Sequence, residues 1–315
     1  MEKMTTALVI GSNGQDGSFL LRHLISKKYR VIGVGRQKEP RIKVESPLFT
    51  YYQADLCRTD ILAYPLESFK PDLVFHVAAV HTSAGGSYES LFNDVLKVNV
   101  ASVHAVMEYL RGHTGSRFIY ASSAKVFGSP LPDVINEDTP KRNECLYSIS
   151  KNTAYALIDY YRKLHGVSAS VIYLFNHESE MRSADFFIPI VLRCLALSLR
   201  DASHVAPVNT LDFYCDWGSA DEYMELMIDM VEKAPSEDFV LASGTCTYAR
   251  DLVKGLFGEF GLDYKRHFKE RVPADSTSAR PYKVDLTKVM NHIRRIPSLG
   301  IHDVCRQILH KDYML

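Results

Sequence analysis

The chain has 315 residues, of which 46% are hydrophobic and 23% charged, as is typical of a soluble globular protein with one large α/β unit and an appended part, or with two domains. Its 37 basic and 37 acidic side chains balance at neutral pH, which argues against nucleic acid or an anionic membrane as a partner. The N-terminus does not resemble a signal peptide, the sequence lacks an apolar run of about 18 residues, and its six cysteines lack CxxC spacing. These features predict a cytoplasmic protein with free thiols, no membrane span and no metal site.

Short apolar runs alternate with amphipathic stretches over the first 175 residues. The apolar runs are typical of buried strands and lie at 6–10, 30–34, 49–53, 72–78, 117–122 and 168–175. The amphipathic stretches are typical of helices and lie near 16–28, 58–68, 88–111 and 144–165. Strands that alternate with helices predict an α/β fold of the Rossmann type, with a doubly wound parallel sheet.

The pattern changes after residue 175, where a polar segment is followed by a helical one and then by short mixed elements. We predict that residues 1–175 form a dinucleotide-binding domain, to which residues of roughly 211–247 return. Residues 176–315 are predicted to form mainly a smaller, interleaved C-terminal domain for the substrate. That domain is expected to cover the carboxyl edge of the sheet, where open α/β folds bind ligands.

A glycine-rich turn follows the first predicted strand directly, with Gly11, Gly14 and Gly17 spaced as GxxGxxG. Glycines at such a turn let backbone N–H groups approach a pyrophosphate, which then lies at a helix N-terminus. The predicted cofactor loop also contains Asn13, Gln15 and Asp16. Because the turn lies between a strand and a helix, a dinucleotide site is favoured over a bare turn.

The end of the second predicted strand bears on the choice of cofactor. An NAD site usually has an acidic residue there for the ribose 2′-hydroxyl, whereas residues 33–38 contain none. Arg36 instead offers a planar guanidinium to a 2′-phosphate. NADP(H) is therefore predicted over NAD(H); the alternative is that Arg36 is a surface residue and a carboxylate comes from elsewhere.

Two further strand ends are predicted to contact the cofactor. Asp55 follows the third strand and is suited to accept a hydrogen bond from the adenine amino group, with Leu56 beside the ring. Ala78 and Ala79 follow the fourth strand and are expected to pass under the pyrophosphate and the nicotinamide ribose.

A candidate proton-transfer group is spread over a strand end and the next helix. Tyr147 and Lys151 are four residues apart, so they share one face of a helix. The lysine ammonium is expected to lower the tyrosine pKa from its usual value of about 10. Ser123, at the end of the preceding strand, is positioned to share the proton. Alone, the Tyr-x-x-x-Lys spacing also arises by chance; the glycine loop upstream favours the catalytic interpretation.

Several motifs together resemble the extended short-chain dehydrogenase/reductase family (the NAD-dependent epimerase/dehydratases). They are GxxGxxG, ADL (54–56), HVAA (76–79), SSAKVFG (122–128), YSISK (147–151) and LFNHES (174–179). The resemblance narrows to the GDP-mannose 4,6-dehydratases through GSNGQDGSFL (11–20), LFNHESEMR (174–182), LDFYCDWGSADEY (211–223), SGTCTY (243–248) and RPYKVD (280–285). It implies a nicotinamide cofactor, a nucleotide sugar with GDP favoured, and a homo-oligomer, either dimer or tetramer.

The resemblance also implies roles for single residues. Tyr147 acts as general base and acid at a sugar hydroxyl, Lys151 holds the nicotinamide ribose, and Ser123 stands at the family's catalytic Thr or Ser. The implied contacts of the nucleotide sugar are Asn176, Arg182 and Arg280, with Glu178 in the same substrate loop. Both arginines have the alternative of being ordinary surface charges.

His81 is a candidate proton donor and substrate contact, although a single histidine is more often a packed or solvated residue. The loop after it contains Gly85 and Gly86, which are expected to make it pliable and able to influence sugar selection.

Lys125 departs from the dehydratase pattern. A 4,6-dehydratase eliminates water across C5 and C6, and in the resembling enzymes a glutamate two residues beyond the Thr or Ser does this; here that position is Lys125. A desolvated lysine can act as a base, so Lys125 stays a candidate catalytic residue, unless it points away. The predicted activity is 4-ketoreduction or epimerisation at C4 of the sugar. The alternatives are a 4,6-dehydratase with a displaced acid and a catalytically silent cofactor-binding regulator.

Overall fold

The structure is a computed structural model that describes residues 4–83, 86–272 and 279–315, so Gly85 lies outside the described residues. Within these ranges the chain forms fourteen strands and ten α-helices. The strands are β1 (Thr6–Ile10), β2 (Arg30–Gly35), β3 (Phe49–Gln53), β4 (Leu73–His76), β5 (Arg117–Ser123), β6 (Val134–Ile135), β7 (Ser168–Leu174), β8 (Asn176–Glu178), β9 (Ala206–Val208), β10 (Tyr214–Ser219), β11 (Phe239–Leu241), β12 (Cys246–Tyr248), β13 (Phe268–Glu270) and β14 (Lys283–Val284). The helices are α1 (Gln15–Ser26), α2 (Ala63–Phe69), α3 (Phe92–Leu96), α4 (Ser102–Gly112), α5 (Leu146–His165), α6 (Phe187–Ser198), α7 (Ala220–Lys233), α8 (Ala249–Glu259), α9 (Thr287–Ile293) and α10 (Ile301–Ile308).

Seven strands make one parallel sheet in the order β11–β7–β5–β4–β1–β2–β3. The predicted α/β fold with a doubly wound parallel sheet is thereby confirmed. The strand order reverses between β1 and β4, where Leu8 pairs with Ile32 on one side and with Val74 on the other. Their carboxyl ends therefore border a crevice, which is the place where such sheets bind ligands.

The fourth strand is shorter than the sequence predicts. It ends at His76 rather than at residue 78, because the N–H groups of Val77 and Ala78 both donate to the Ile10 carbonyl, each at 3.0 Å. Two donors on one acceptor turn the chain out of the sheet ladder. The segment after β4 is thereby directed across the end of β1.

The helix predicted over 88–111 is a continuous helical run of mixed type. A 3₁₀ turn (Glu89–Leu91) leads into α3, a π-helical turn (Lys97–Ala101) follows, and α4 completes the run. Asn99 lies in the π turn, and such turns are frequent at functional sites. The wider π turn thus coincides with Asn99, whose side chain bonds Val80 and Ser150.

Apolar side chains cover both faces of the sheet, which explains why its strands read as continuous apolar runs. Successive residues of β1 point to opposite faces: Leu8 packs with Val106 of α4, and Val9 with Leu20 of α1 and Met227 of α7. Fully burying a side chain of this size contributes about 1.5–3 kcal/mol. The two helical layers therefore fix the sheet whose edge carries the candidate site.

The later part of the chain builds three small sheets and a third apolar cluster. The small sheets are β12–β10–β8, β13–β9 and β14–β6. The third cluster joins α6, α8, α10 and β10, and contains Trp217, which stacks on Phe187 at 5.8 Å between ring centroids. Helix α7 and strand β11 instead join the main sheet layers. The division of the chain into domains at residue 175 stays a prediction.

Two further properties concern only the residues that the structure describes. None of their helices combines the length and the apolar character needed to cross a membrane. Nor do they contain a group of three or more His, Cys, Asp or Glu side chains arranged to hold a metal ion.

Candidate active site

The glycine turn lies in the crevice between β1 and β4. Gly11 has φ +96°, and a Cβ atom built on it would lie 2.6 Å from the Ala78 nitrogen, closer than side chains pack. The N–H groups of Gly11 and Ser12 both donate to the Val34 carbonyl, at 2.9 and 3.0 Å. Glycine at position 11 is therefore required both by the left-handed backbone and by the close approach of the segment after β4.

The turn ends in the first turn of α1. Gly14 is the N-cap residue and donates its N–H to the Gly11 carbonyl at 3.0 Å. A Cβ atom on Gly17 would overlap the Gly11 carbonyl oxygen and would lie 2.6 Å from the Ser12 Cα. Backbone N–H groups at the start of a 12-residue helix thus face an open cradle without side chains, which fits a pyrophosphate.

The side chain of Asn13 is used within the protein. Its amide nitrogen bonds the Glu39 carbonyl at 2.8 Å and the Tyr51 hydroxyl at 3.1 Å, and its carbonyl oxygen accepts from the Arg41 N–H at 3.2 Å. Asn13 therefore fastens the glycine turn to the segment after β2. The predicted contact of Asn13 with the cofactor stays a prediction.

Gln15 and Asp16 are also bonded within the protein. Gln15 donates to the His177 carbonyl at 3.1 Å and accepts from the Ser179 hydroxyl at 2.8 Å. Asp16 accepts from His177 Nε2 at 2.9 Å. These two side chains join α1 to the segment that begins at β8, and the predicted contact of both residues with the cofactor stays a prediction.

The predicted residues at the ends of β2 and β3 are near the outer end of the same edge. Arg36 is exposed, and its carbonyl accepts from Gln53 Nε2 at 3.2 Å, which leaves the guanidinium toward solvent. Asp55 is exposed and accepts from the Cys57 N–H at 3.0 Å, while Leu56 is buried. The predicted roles of these residues at the cofactor stay predictions.

Ser123, Tyr147 and Lys151 are brought together, as the sequence predicts. Ser123 ends β5 and is hydrogen-bonded to the Tyr147 hydroxyl. Lys151, one turn further along α5, donates from Nζ to the Ala121 carbonyl at 2.7 Å. Its ammonium lies 5.7 Å from the centroid of the Tyr147 ring.

The start of α5 is held by a capping box between Cys145 and Ser148. Cys145 Sγ accepts from the Ser148 N–H at 3.4 Å, and Ser148 Oγ accepts from the Cys145 N–H at 3.0 Å. Because both terminal donors are satisfied, the first turn of the helix, which carries Tyr147, has a fixed start.

The protonation of Tyr147 differs from the expectation. Burial raises the pKa of Tyr147 above its ordinary value, Tyr88 adds to this effect, and the bond from Ser123 and the charge of Arg182 oppose it only in part. The pKa of Tyr147 is thus raised in this structure, whereas the sequence analysis predicts a lowered one. Burial lowers the pKa of Lys151 itself to about 7, although Asp16 opposes the change.

Aromatic rings enclose Tyr147 on the side of the cleft. His81 lies 4.3 Å and Tyr88 5.8 Å from the Tyr147 ring, and Phe186 lies 5.6 Å from His81, as measured between centroids. His81 Nδ1 and the Tyr88 hydroxyl are hydrogen-bonded at 2.6 Å. His81 is nonetheless exposed to solvent in part.

The same surroundings decide the charge of His81. Desolvation, with the positive charges of Arg182, Lys125 and Lys151, lowers the pKa of His81 to about 3. The ring is therefore neutral at physiological pH, which does not favour His81 as a donor from an imidazolium. Its predicted contact with the substrate stays a prediction.

Asn99 anchors the segment that leads to His81. Its side-chain carbonyl accepts from the Val80 N–H at 2.8 Å, and its amide donates to Ser150 Oγ at 3.0 Å. This buried amide connects the segment after β4 with α5. It also fixes His81 relative to the helix of Tyr147.

Lys125 lies in a 3₁₀ turn directly after β5. Its backbone N–H donates to Ser123 Oγ at 3.2 Å, and its side chain is exposed. The predicted catalytic role of Lys125 stays a prediction, as does the alternative that its side chain points away from the site.

Arg182 and Glu178 form a pair beside the cleft. Arg182 Nε lies 3.6 Å from Glu178 Oε2, and its guanidinium lies 3.8 Å from the centroid of the Phe186 ring. The Glu178 side chain is 3% exposed. Burial raises the pKa of Glu178, and Arg182 opposes this. Glu178 thus lies beside Arg182, and its predicted contact with the substrate stays a prediction.

Asn176 and Arg280, the two remaining predicted substrate contacts, bond to different parts of the protein. Asn176 is exposed and donates from Nδ2 to Cys215 Sγ at 3.1 Å, which ties it to β10. Arg280 forms an exposed ion pair with Asp133 at 3.3 Å. Among the contacts of the described residues, Arg280 is not joined to the other predicted site residues, so its role stays a prediction.

The sequence analysis did not identify three residues of this site: His177, Tyr88 and Phe186. His177 lies between two residues that were assigned to the substrate, and its own ring had no evident partner in the sequence. Tyr88 and Phe186 are aromatic residues in polar loops, where exposure without a partner is unfavourable. Aromatic side chains in polar segments therefore indicated that Tyr88 and Phe186 have packing partners. The sequence did not reveal those partners, because they come from distant parts of the chain.

A family model described as GDP-mannose 4,6 dehydratase matches residues 8–301. The chain belongs to the GDP-mannose 4,6-dehydratase family. The resemblance to this branch of the extended short-chain dehydrogenase/reductases is thereby confirmed. The family includes enzymes that modify nucleotide sugars, and the candidate active site described above lies within the matched residues.

Curated relatives agree with this assignment at low identity. The GDP-mannose 4,6-dehydratase sdnI of Sordaria araneosa is 31% identical over 265 residues, covering 82% of this chain but 49% of its own length. This chain thus spans about half of that relative. GDP-mannose 4,6 dehydratase 1 of Arabidopsis thaliana is 27% identical over 333 residues, covering 98% of this chain and 90% of its own.

Solved structures share the fold over nearly the whole chain. The dTDP-glucose 4,6-dehydratase of Bacillus anthracis, in complex with NAD, has a TM-score of 0.83 at 16% identity and covers 98% of both chains. The UDP-glucose 4-epimerase of Thermotoga maritima has a TM-score of 0.81 at 18% identity and covers 98% of this chain and 100% of its own. At these identities the likeness concerns the fold.

Proposed function

We propose that the protein is an NADP(H)-dependent enzyme that transfers hydride at C4 of a nucleotide sugar, probed first as a GDP-sugar, in a 4-ketoreduction or an epimerisation. The observation that carries this proposal is an intact Ser123, Tyr147 and Lys151 group with a lysine, Lys125, on the adjoining turn. When bound, the nicotinamide supplies or accepts the hydride. The protein's own residues orient the sugar and move the proton.

The proton step follows from the state of Tyr147. Burial keeps its phenol protonated at neutral pH, so Tyr147 is ready to donate to a carbonyl oxygen at C4 as hydride reaches that carbon. Ser123, which bonds the Tyr147 hydroxyl, would be the second donor to the same carbonyl oxygen. This protonation state supports the reductive direction first, with a C4 hydroxyl as the product.

Lys125 weighs against the elimination of water. A dehydration needs a base for the C5 proton and an acid for the leaving hydroxyl, and a general acid or base contributes typically about 10²–10⁴-fold. An ammonium at this position reverses the charge that a carboxylate would supply. Hydride transfer at C4 does not require a carboxylate at position 125, so a lysine there is compatible with it.

NADP(H) is favoured over NAD(H) because Arg36 is exposed at the end of β2, while residues 33–38 contain no carboxylate. The glycine cradle fits either cofactor. The test is binding of both cofactors to Arg36→Ala. We expect weaker NADPH binding by about tenfold or more, as a charge-assisted phosphate contact implies, and unchanged NADH binding. Equal effects on both cofactors would contradict the choice.

The decisive experiment follows product mass. The protein is incubated with GDP-mannose and NADP⁺, and separately with a GDP-4-keto sugar and NADPH. Consumption of NADPH with a mass gain of two hydrogens supports a reductase, and unchanged mass with altered stereochemistry supports an epimerase. Loss of one water from GDP-mannose overturns the proposal.

The second candidate is a GDP-hexose 4,6-dehydratase with a displaced acid, which the match to the family model favours. A catalytically silent, cofactor-binding regulator is a third candidate, and it gains support if Tyr147→Phe changes no turnover. Assembly into a homo-oligomer and a cytoplasmic location remain predictions from the sequence.

A further inference from the structure

Lys151 is a buried lysine with few partners. It is 2% exposed, and its Nζ donates to the Ala121 carbonyl at 2.7 Å. Within the residues that the structure describes, this carbonyl is its one hydrogen-bond partner, and it forms no ion pair. Removing an ammonium from water is costly unless groups of the protein stabilise its charge. A single carbonyl compensates only part of that cost.

The ring of Tyr120 provides a second contact. The Lys151 ammonium lies 4.6 Å from the centroid of the Tyr120 ring, against 5.7 Å for the Tyr147 ring. Tyr120 precedes Ala121 on β5, so consecutive residues of one strand supply the ring and the carbonyl. A cation at this distance over an aromatic face is attracted by the ring, and the attraction is stronger where water is excluded. Tyr120 is fully buried, so it meets that condition.

The hydroxyl of Tyr120 does not take part in this contact. It is buried and has no hydrogen-bond partner among the described residues. Removing an unpartnered hydroxyl from a buried ring is expected to be nearly neutral for the fold. The aromatic face of Tyr120, and not its hydroxyl, is therefore the part of the side chain that can act on Lys151.

His76 is the cross-strand neighbour of Tyr120, and it is neutral. It pairs with Tyr120 in the register of β4 and β5, and the two rings are 5.7 Å apart between centroids. The Ser102 hydroxyl donates to the Val98 carbonyl at 2.6 Å, so it accepts the bond of 2.7 Å from His76 Nε2. The proton of this imidazole is thus on Nε2. Burial lowers the pKa of His76 to about 3, which agrees with a neutral ring.

The other titratable groups near Lys151 do not replace the ring of Tyr120. Tyr147 keeps its proton and His81 is neutral, as described above. Asp16 raises the pKa of Lys151, but its carboxylate is already bonded to His177 at 2.9 Å. The direct contacts of the ammonium are therefore the carbonyl of Ala121 and the aromatic faces.

We propose that Tyr120 is a positioning residue of the candidate active site, whose ring face holds the Lys151 ammonium in place and keeps it charged. This role rests on the proposed function, in which Lys151 assists the transfer of hydride. As hydride reaches C4, negative charge develops on the oxygen that Tyr147 protonates, and a charged Lys151 beside Tyr147 stabilises it. Because burial lowers the pKa of Lys151 to about 7, the loss of one contact alters its charge at neutral pH.

The test follows the titration of Lys151 directly, on the full chain without ligands. Lysine is labelled with ¹³C at Cε, its NMR signals are recorded over a pH series, and the Lys151 signal is assigned from its absence in Lys151→Met. Tyr120→Leu removes the ring, whereas Tyr120→Phe keeps it. We expect the titration midpoint of Lys151 to fall by about one pH unit in Tyr120→Leu and by less than about 0.3 unit in Tyr120→Phe.

Tyr173→Leu is the matched control. Tyr173 is also a fully buried tyrosine of the main sheet, and its hydroxyl likewise has no partner among the described residues. Its ring lies under a different ammonium, that of Lys141, at 4.9 Å. Tyr173→Leu is expected to leave the Lys151 midpoint unchanged. If Tyr120→Leu does not fold, Tyr120→Met takes its place, because methionine fills more of the space without an aromatic face.

Two outcomes overturn the inference. The first is a Lys151 midpoint that is unchanged or higher when the ring of Tyr120 is removed. The second is an equal fall in Tyr120→Leu and Tyr173→Leu, which assigns the effect to lost packing.

Kinetics distinguish this result from a failure of the proposed function. With a GDP-4-keto sugar and NADPH, Tyr120→Leu is expected to lower kcat/KM by up to about tenfold at pH 7.5 and by less than about twofold at pH 5.5, as a shift of one pH unit implies. Tyr120→Phe is expected to change kcat/KM by less than about twofold at both values. If the wild type transfers no hydride, the proposed function fails, while the NMR titration still decides the role of Tyr120.

Discussion

His177 joins the first turn of α1, next to the glycine turn, to the segment after β7 through two hydrogen bonds of its ring. Nδ1 is 2.6 Å from the Phe175 carbonyl and Nε2 is 2.9 Å from Asp16 Oδ1. Both partners can only accept when Asp16 is ionised, so both ring nitrogens carry a proton and His177 is an imidazolium. Burial opposes this state, but Asp16 outweighs it and raises the pKa of His177 above its ordinary value of 6.5.

The pair predicts how stability depends on pH. For Asp16, burial alone would raise the pKa, but the charge and hydrogen bond of His177 lower it below 3.8. The contribution of His177 is thus complete below pH 6.5 and is lost as pH rises through its folded-state pKa, while that of Asp16 is lost as pH falls through its own. We expect His177→Asn to reduce the free energy of unfolding by about 3 kcal/mol at pH 5.5, as loss of one partner of a buried pair does, and by less at pH 9.

Urea unfolding at both pH values measures this difference. His23→Asn is the control, because His23 forms a more exposed pair with Asp221 at 2.7 Å. Its effect is expected to stay within about 1 kcal/mol. A His177→Asn effect that does not change between the two pH values would contradict an imidazolium at this position.

Tyr147 and Tyr88 provide a matched test of proton transfer. Tyr147→Phe keeps the ring that packs on His81 and removes only the hydroxyl, so we expect kcat to fall about 10²–10⁴-fold with an unchanged melting temperature. Tyr88→Phe removes the hydroxyl bonded to His81 and is expected to lower kcat by less than about tenfold. Steady-state kinetics measure kcat for both variants. An equal fall in kcat for Tyr147→Phe and Tyr88→Phe would contradict the proposed role of Tyr147.

Lys151 predicts a second pH effect, of opposite sign to that of His177. Its folded-state pKa is about 7 and its ordinary value is 10.5, so between these values the folded protein binds fewer protons and the free energy of unfolding rises with pH. Lys151→Met removes the titrating group. We therefore expect the stability of the variant relative to the wild type to be highest at pH 6 and to decline toward pH 9, in chemical unfolding experiments.

Lys163, on the exposed face of the same helix, is the control for that series. It is paired with Asp159 at 2.7 Å, and this pair raises its pKa above 10.5, beyond the range tested. Lys163→Met is expected to shift stability equally at pH 6 and pH 9. The same flat difference for Lys151→Met would contradict a lowered pKa at position 151.

A comparison of Gly17→Ala with Gly112→Ala distinguishes a steric clash from the general cost of glycine in a helix. Gly17→Ala forces a Cβ atom against the Gly11 carbonyl, so we expect it to lower the free energy of unfolding by about 1–3 kcal/mol and to weaken NADPH binding. Gly112, in the last turn of α4, has no atom within 4 Å of a built Cβ, and Gly112→Ala is expected to stabilise by about 0.5–1 kcal/mol. Thermal unfolding and NADPH titration measure both effects. An unaltered NADPH affinity of Gly17→Ala would contradict the proposal that the glycine turn binds the cofactor.

The parallel sheet and the meeting of Ser123, Tyr147 and Lys151 could be predicted because their signals are local. A strand of continuous apolar residues, a glycine turn and a four-residue spacing on one helix each depend on a short stretch of chain. The family was recognised from such stretches as well.

Other properties depend on residues that are distant in the sequence. Asp16 and His177 are 161 residues apart in the sequence, so no local pattern predicts the bond between them. The raised pKa of Tyr147 arises from burial beneath His81 and Tyr88, which the spacing to Lys151 does not reveal. The placement of Glu178 beside Arg182 likewise depends on which way a three-residue strand turns its side chains.

The bond from residue 125 to Ser123 Oγ is made by the backbone N–H, so it is the same for every amino acid except proline. We therefore expect Ser123 to keep its position when the side chain at 125 changes from an acid to a base or to a neutral group. In the proposed function, the proton-transfer group and the side chain at position 125 are then independent parts of the site. A substitution at position 125 is expected to alter the chemistry at the rest of the sugar and to leave the framework of Ser123, Tyr147 and Lys151 intact.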